Sequence, residues 1–106
     1  MAQELILDDN LLTTLPSSLG KLKSLIILNV SYNKLVSLPN ALGECLMMEE
    51  LLVRDNEIVS LPKELRGCSK LRRLDLTNNC LEAMPVDLVH IATLVYIALE
   101  GNPCNA

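Results

Sequence analysis

The sequence has almost no aromatic residues: it contains no Trp and no Phe, and its two tyrosines are Tyr32 and Tyr96. A core of large rings packed between helices is therefore excluded, and leucine has to fill the interior. No 18 apolar residues follow one another, and the start MAQELILDDN lacks the basic flank and the apolar run of a signal peptide. We therefore expect one soluble domain without a membrane contact. The net charge of −4 argues against nucleic acid as a partner.

Residues that carry chemistry are equally scarce. There is one histidine, His90, and there is neither a glycine-rich phosphate loop nor a carboxylate pair outside the repeated pattern described below. Cys45 and Cys68 recur at one position of consecutive repeats, which indicates small core residues. Cys80 and Cys104 have no second pair of ligands to complete a metal site. We expect no enzyme, no cofactor and no metal; the redox state of the four cysteines stays open.

What the sequence does have is a period of 23 residues without any insertion. Asparagine recurs at this spacing as Asn10, Asn33, Asn56, Asn79 and Asn102. Proline follows the same spacing at positions 16, 39, 62 and 85, in the settings LPSSL, LPNAL, LPKEL and MPVDL. The period predicts one repeat domain over residues 1–106, with repeats 2–24, 25–47, 48–70 and 71–93 and a partial repeat 94–106.

The segments LIILNVSYNKL, MEELLVRDNEI and LRRLDLTNNCL resemble the LxxLxLxxNxL consensus of the leucine-rich-repeat family, and AQELILDDNLL is similar to it. The LPxxL segments resemble intracellular 23-residue members of the Ras-suppressor and Scribble/Erbin type. The closing LEGNP is similar to the last repeat of such proteins. The resemblance implies an α/β repeat fold: a right-handed solenoid with a curved parallel β-sheet on its concave face and short turns, 3-10 or helical segments on its convex face.

Within each repeat, strand alternation predicts which side chains are buried. In the second repeat Leu28 and Val30 should point inward, whereas Ile27, Asn29 and Ser31 should point outward. Leucines of the segment that follows each asparagine complete the core between repeats. One file of equivalent positions in this segment is Leu15, Leu38, Leu61 and Met84. The repeated asparagines should satisfy backbone groups that the sheet does not reach, since an amide both donates and accepts. Their predicted role is structural.

By the family resemblance, partners dock on the concave sheet face. Its outward positions carry eight acidic residues and three arginines, a net charge of −5, whereas the remaining residues carry +1. This imbalance favours a protein partner with a basic or mixed-charge patch, although a solvated acidic surface without a binding role is the alternative. Interface energy is usually concentrated in tyrosine, arginine and similar anchors. The predicted partner-binding residues are Tyr32, Glu50, Leu52, Arg54, Arg72, Arg73 and Tyr96; the alternative for each apolar one is an ordinary surface position.

Both ends of the predicted solenoid are apolar. Leu94, Ile97 and Leu99 have no following repeat to cover them in this sequence. We therefore expect either that the chain is a fragment of a longer array or that it self-associates, with the C-terminal end as the contact because Glu4, Asp8 and Asp9 discourage pairing at the first strand.

These observations indicate a protein-protein interaction module, an intracellular scaffold or adaptor in signalling. Free cysteines and the absence of a signal peptide favour a cytoplasmic location. The alternative is a secreted or surface recognition protein, such as part of a receptor ectodomain or a microbial effector. A third possibility is the regulatory region of a larger enzyme.

Overall fold

The computed structural model describes residues 3–83 and 85–105. Ala2, the predicted start of the first repeat, and Met84, in the predicted leucine file, lie outside the described residues. Among the described residues, no helix is long and apolar enough to cross a membrane.

One parallel sheet of five strands runs through the molecule, and the strands lie in sequence order. Residues one period apart are opposed in this sheet: Glu50 pairs with Arg73, and Arg73 pairs with Tyr96. The register of β1 against β2 shifts between Gln3 and Glu4, and it is regular elsewhere. The strands are β1 (Gln3–Ile6), β2 (Leu25–Asn29), β3 (Glu50–Leu52), β4 (Arg73–Asp75) and β5 (Tyr96–Ala98).

Short 3-10 helices form the opposite, convex side of each repeat, and the repeated proline and leucine explain them. Pro39 sits just before the second helix with extended backbone, and its carbonyl accepts a hydrogen bond from the Leu42 amide at 3.1 Å. This tight turn points Leu42 into the core, where it is fully buried. The other three LPxxL or MPxxL segments form the same bond. The helices are η1 (Ser17–Lys21), η2 (Asn40–Glu44), η3 (Lys63–Gly67), η4 (Val86–His90) and η5 (Pro103–Asn105).

Glycine allows the convex helices to pack closely. A Cβ atom added to Gly43 would collide with the backbone carbonyl of Glu64, and one added to Gly67 would lie 2.6 Å from the carbonyl oxygen of Gly43. The second and third helices therefore contact each other through their backbones.

The core lies between the sheet and these helices, as the alternation predicts. Leu28, Val30 and their equivalents in the third and fourth repeats are fully buried. The family resemblance predicted this architecture, and the structure confirms it: a solenoid with a parallel sheet on one face and short 3-10 turns on the other.

Cys45 and Cys68 belong to this core and are free thiols. Each donates a hydrogen bond to the carbonyl of a leucine in the preceding repeat: Cys45 to Leu19 at 3.4 Å and Cys68 to Leu42 at 3.2 Å. Burial, with a smaller contribution from Cys45, raises the pKa of the Cys68 thiol to about 12. Cys68 therefore stays protonated and unreactive at neutral pH.

The repeated asparagines join consecutive repeats through their side chains. The Oδ1 atom of Asn56 accepts a hydrogen bond from the Leu35 amide at 3.0 Å, and its Nδ2 donates to the Val30 carbonyl at 3.0 Å. Both partners lie in the preceding repeat, while a third bond holds the Val53 carbonyl of the same repeat. Three other asparagines, one in each of the second, fourth and fifth repeats, bond the preceding repeat in the same way: Asn33, Asn79 and Asn102.

Asn10 differs from the other four. Its side chain is exposed and bonds only the carbonyls of Leu7 and Asp8 in its own repeat. The reason is positional, because the described residues contain no earlier repeat for it to reach.

The residue before each asparagine adopts a left-handed backbone conformation. This column consists of Asp9, Tyr32, Asp55, Asn78 and Gly101, with φ between 56° and 77°. Aspartate, asparagine and glycine tolerate this conformation, whereas a tyrosine there carries a steric cost. Tyr32 is thus the strained member of the column.

We predict that Asn56→Ala lowers the free energy of unfolding by about 3 kcal/mol, because it leaves buried backbone groups of two repeats without partners. Urea denaturation monitored by circular dichroism measures the change. The matched control is Asn10→Ala, expected to change stability by less than about 0.5 kcal/mol. Equal losses for the two variants would contradict the bridging role.

We also predict that Tyr32→Asn raises the free energy of unfolding by about 0.5 to 1 kcal/mol, because asparagine relieves the left-handed strain and the ring is 48% exposed. The reverse change, Asn78→Tyr, should lower stability by a similar amount. Thermal and urea melts of both variants test this pair, and a destabilised Tyr32→Asn protein would show that the ring contributes more than its strain costs.

Candidate functional site

The concave face presents three rows of side chains that run across the strands. The first row lies at or near the start of the strands, the second lies at the last residue of each strand, and the third lies two residues beyond the strand ends. These rows are Glu4, Ile27, Glu50, Arg73 and Tyr96; Ile6, Asn29, Leu52, Asp75 and Ala98; and Asp8, Ser31, Arg54, Thr77 and Glu100.

Oppositely charged residues of the third and fourth repeats face each other at the first row and at the positions just before it. Glu49 and Arg72 form an ion pair of 3.7 Å, and both side chains are substantially exposed. Glu50 and Arg73 are register partners, but the Arg73 guanidinium lies over the Tyr96 ring, 4.7 Å from its centroid. The third and fourth repeats are therefore linked by an ion pair at one position, and at the next position the arginine makes a cation-π contact with the fifth repeat.

Tyr32 and Arg54 lie together at the opposite edge of the face. The Tyr32 amide donates a backbone hydrogen bond of 2.8 Å to the Arg54 carbonyl, and the Arg54 side chain reaches Asp55 at 3.4 Å. The pKa of Arg54 is raised above its ordinary value, mainly by the charge interaction with Tyr32. Asp55 and Asp75 raise it further, and the three residues outweigh desolvation, which lowers it. Arg54 is therefore a permanent cation beside an exposed ring.

The seven predicted partner-binding residues thus form two groups. Glu50, Arg72, Arg73 and Tyr96 surround one shallow depression at the start of the strands. Tyr32 and Arg54 form the second group, roughly 13 Å away along the strand direction, which is four residues of extended chain. Leu52 is partly buried on the middle row between the two groups. Their part in binding stays a prediction.

Two residues expected to point outward are buried. The Ser31 hydroxyl accepts a hydrogen bond from the Arg54 amide at 3.1 Å, which draws the side chain into the sheet edge and leaves it 4% exposed. Ala98 is 3% exposed because its single methyl group does not rise above the neighbouring side chains. Neither residue can serve as an anchor for a partner.

The predicted partner-binding residues leave out Val95, which is 77% exposed and lines the depression beside Tyr96. The sequence reasoning also missed the left-handed conformation of Tyr32. A signal for it was present, because the Asp, Asp, Asn and Gly at the equivalent positions of the other repeats are the residues that favour this conformation.

Away from the concave face, the C-terminal end carries an apolar cavity of about 490 Å³. Its lining includes Leu88, Ile91, Leu94 and Ile97, and the Ile97 side chain is 41% exposed. These are core positions that no further repeat covers within the described residues.

His90 and Cys80, which carry groups that can take part in catalysis or bind a metal, lie outside the strands. His90 is exposed on η4, on the convex side, and Cys80 is exposed as well. In the part of the chain that the structure describes, no three His, Cys, Asp or Glu residues come together as metal ligands. The candidate site is therefore the concave surface.

Comparison with known proteins agrees with the geometry. One leucine-rich-repeat family model matches residues 47–103, and a second matches residues 24–45. No curated protein sequence matches the chain significantly.

Several solved structures are similar to this fold. A leucine-rich-repeat protein of Leptospira interrogans is 33% identical, with a TM-score of 0.91, over 94% of this chain and 26% of its own. The functional domain of InlJ from Listeria monocytogenes, which includes a cysteine ladder, is 27% identical, with a TM-score of 0.79, over 95% of this chain and 20% of its own. The plant peptide hormone receptor RGFR1, solved in complex with RGF2, shares the fold at 22% identity and a TM-score of 0.85, over 94% of this chain and 17% of its own.

The chain therefore spans about a quarter or less of the length of these three solved proteins. A family model covers more than half of its residues, and a solved leucine-rich-repeat protein is 33% identical over nearly its whole length. By sequence, repeat geometry and structural similarity, this chain belongs to the leucine-rich-repeat family.

Proposed function

We propose that this chain binds a partner protein on its concave sheet face. The observation that carries the proposal is the charge of that face: the three rows and the positions that flank each strand together bear −5, while the rest of the chain bears +1. Packing does not require such an imbalance, because the core is built from the inward side chains alone. Solenoid proteins use their extended concave surfaces for binding, which supports a binding role rather than a catalytic one.

The charge also indicates the kind of partner. An acidic face attracts a basic patch, whereas the arginines of the fourth repeat can accept an acidic group. A partner with a basic or mixed-charge surface therefore fits best. Tyr32 and Tyr96 near the two edges of the face, and Leu52 between them, supply apolar and aromatic contacts for such an interface.

We further propose an intracellular scaffold or adaptor in signalling, of the 23-residue type with LPxxL segments. Four free cysteines support a reducing compartment. The second candidate is a secreted or surface recognition protein, and its support is that the similar structures include two bacterial proteins and a peptide hormone receptor. Fractionation of cells that express the full-length protein distinguishes the two, since recovery outside the cytosol would overturn the intracellular proposal.

We predict that Tyr32→Ala combined with Arg54→Glu reduces partner capture by about tenfold or more, because the change removes an aromatic anchor and reverses a charge on the concave face. Affinity capture followed by quantitative mass spectrometry measures the loss. Val59→Ala combined with Arg66→Glu is the matched control, since it makes the same charge change and shortens one exposed apolar side chain elsewhere. If both variants retain the same partners, the concave face is the wrong surface.

We also propose that the apolar C-terminal end contacts a second copy of the chain. Sedimentation velocity over a wide micromolar range should show a dimer at high concentration, and Ile97→Glu should remain monomeric because it places a charge in that contact. Val59→Glu, at an exposed position on another side of the molecule, should dimerise like the wild type. A wild-type chain that stays monomeric throughout would rule the contact out.

A further inference from the structure

The concave face carries a depression of about 200 Å³ where β3, β4 and β5 begin. It is lined by Glu50, Arg72, Arg73, Val95 and Tyr96, so that two guanidinium groups, one carboxylate and an aromatic ring share a small space. The depression is large enough for one side chain of a partner.

Arg73 is already oriented for binding. Its guanidinium lies 4.7 Å from the centroid of the Tyr96 ring, and stacking of this kind leaves the N–H donors at the edge of the guanidinium free. A partner that accepts hydrogen bonds from this edge does not have to order the arginine first.

Arg72 can exchange its present partner, Glu49, for an anion of the bound protein with little loss of free energy. Its ion pair with Glu49 has a separation of 3.7 Å, and the two side chains are 64% and 40% exposed. Exposed pairs of this kind are weak, so an incoming anion can replace Glu49. The depression thus offers two cationic donors.

The rest of the face has the opposite charge. On the strands and strand ends of the first three repeats, Arg54 is the sole cation among the outward positions. The acidic residues at these positions are Glu4, Asp8, Asp9, Glu49, Glu50 and Asp55. The outward positions of the first three repeats therefore sum to −5, whereas those of the fourth repeat, with Arg72, Arg73 and Asp75, sum to +1.

We infer that the depression receives an Asp or Glu side chain of the partner, while Lys or Arg side chains of the same partner segment lie over β1 to β3. This inference rests on the concave-face binding proposed above. Three strand spacings of about 4.8 Å separate β1 from β4, roughly 14 Å, which an extended chain covers in about four residues. The partner is thus a mixed-charge segment with an acidic residue about four positions from a basic one.

Titration of the isotope-labelled full chain with capped peptides, followed by nuclear magnetic resonance, tests the inference. The mixed peptide has one glutamate and two lysines that lie about four positions from it. In the basic peptide, glutamine replaces the glutamate. In the acidic peptide, glutamine replaces both lysines. We expect the mixed peptide to bind about three- to fivefold more tightly than the basic one, as an exposed ion pair allows. Only the peptides with glutamate should shift the amides of Arg73 and Tyr96.

Two variants test whether Arg73 is the residue that binds the glutamate of the peptide. Arg73→Gln should bring the mixed peptide down to the affinity of the basic one, whereas Arg66→Gln, an exposed arginine on the convex η3, should preserve the difference. Thermal melts check that both variants remain folded.

The outcomes separate the two proposals. Equal binding of the mixed and basic peptides, or an unchanged difference in Arg73→Gln, overturns the inference about the depression and leaves concave-face binding intact. Shifts confined to the convex side, or no shifts with any peptide, count against both. A phosphoserine peptide that binds the depression more than about tenfold more tightly than the glutamate peptide would assign it to a phosphate and overturn the carboxylate.

Discussion

Asparagine side chains that bond the backbone of the preceding repeat are the interaction on which this structure depends. The chain turns off each strand toward the convex side, and there its amides and carbonyls cannot reach the sheet ladder. In the third repeat, Asn56 satisfies the Leu35 amide, the Val30 carbonyl and the Val53 carbonyl at distances of 3.0 to 3.1 Å. Without these bonds, several polar groups in each repeat would be buried and unsatisfied, at a cost comparable to the stability of a small domain. Each side chain therefore fixes both the shape of its own repeat and its position against the preceding one.

This arrangement leaves the outward side chains of the concave face outside the hydrophobic core. Leu28, Leu51 and Leu74 point inward and form the core, while their neighbours along each strand point outward and lie outside the core cluster. Their charge is therefore not set by core packing, and the positions on and beside the strands carry eight acidic residues against three arginines. A surface that packing does not constrain is where a binding preference can be encoded, which is why its charge carries the functional proposal.

Tyr32 on the concave face has a strained, left-handed backbone conformation. Every other member of its column is a residue that tolerates a left-handed backbone, and Tyr32 occupies the position at a cost in stability. Its ring lies beside Arg54 at one edge of the face, while Arg73 and Tyr96 form a second aromatic and cationic pair at the other edge. The concave face thus carries an exposed aromatic residue near each of its two edges.

The sequence by itself determined the repeat, the register of the strands, the inward leucines and the column of asparagines, because a strict 23-residue period places equivalent residues side by side. It also determined most of the charge of the concave face, since strand alternation places the charged residues of the three rows on the outward side. Only the tertiary structure decided how neighbouring side chains divide their contacts. Arg72 pairs with Glu49 while Arg73 turns to the Tyr96 ring, and Ser31 is drawn inward by the Arg54 amide. These choices depend on distances of a few ångströms between repeats, which a one-dimensional period cannot specify.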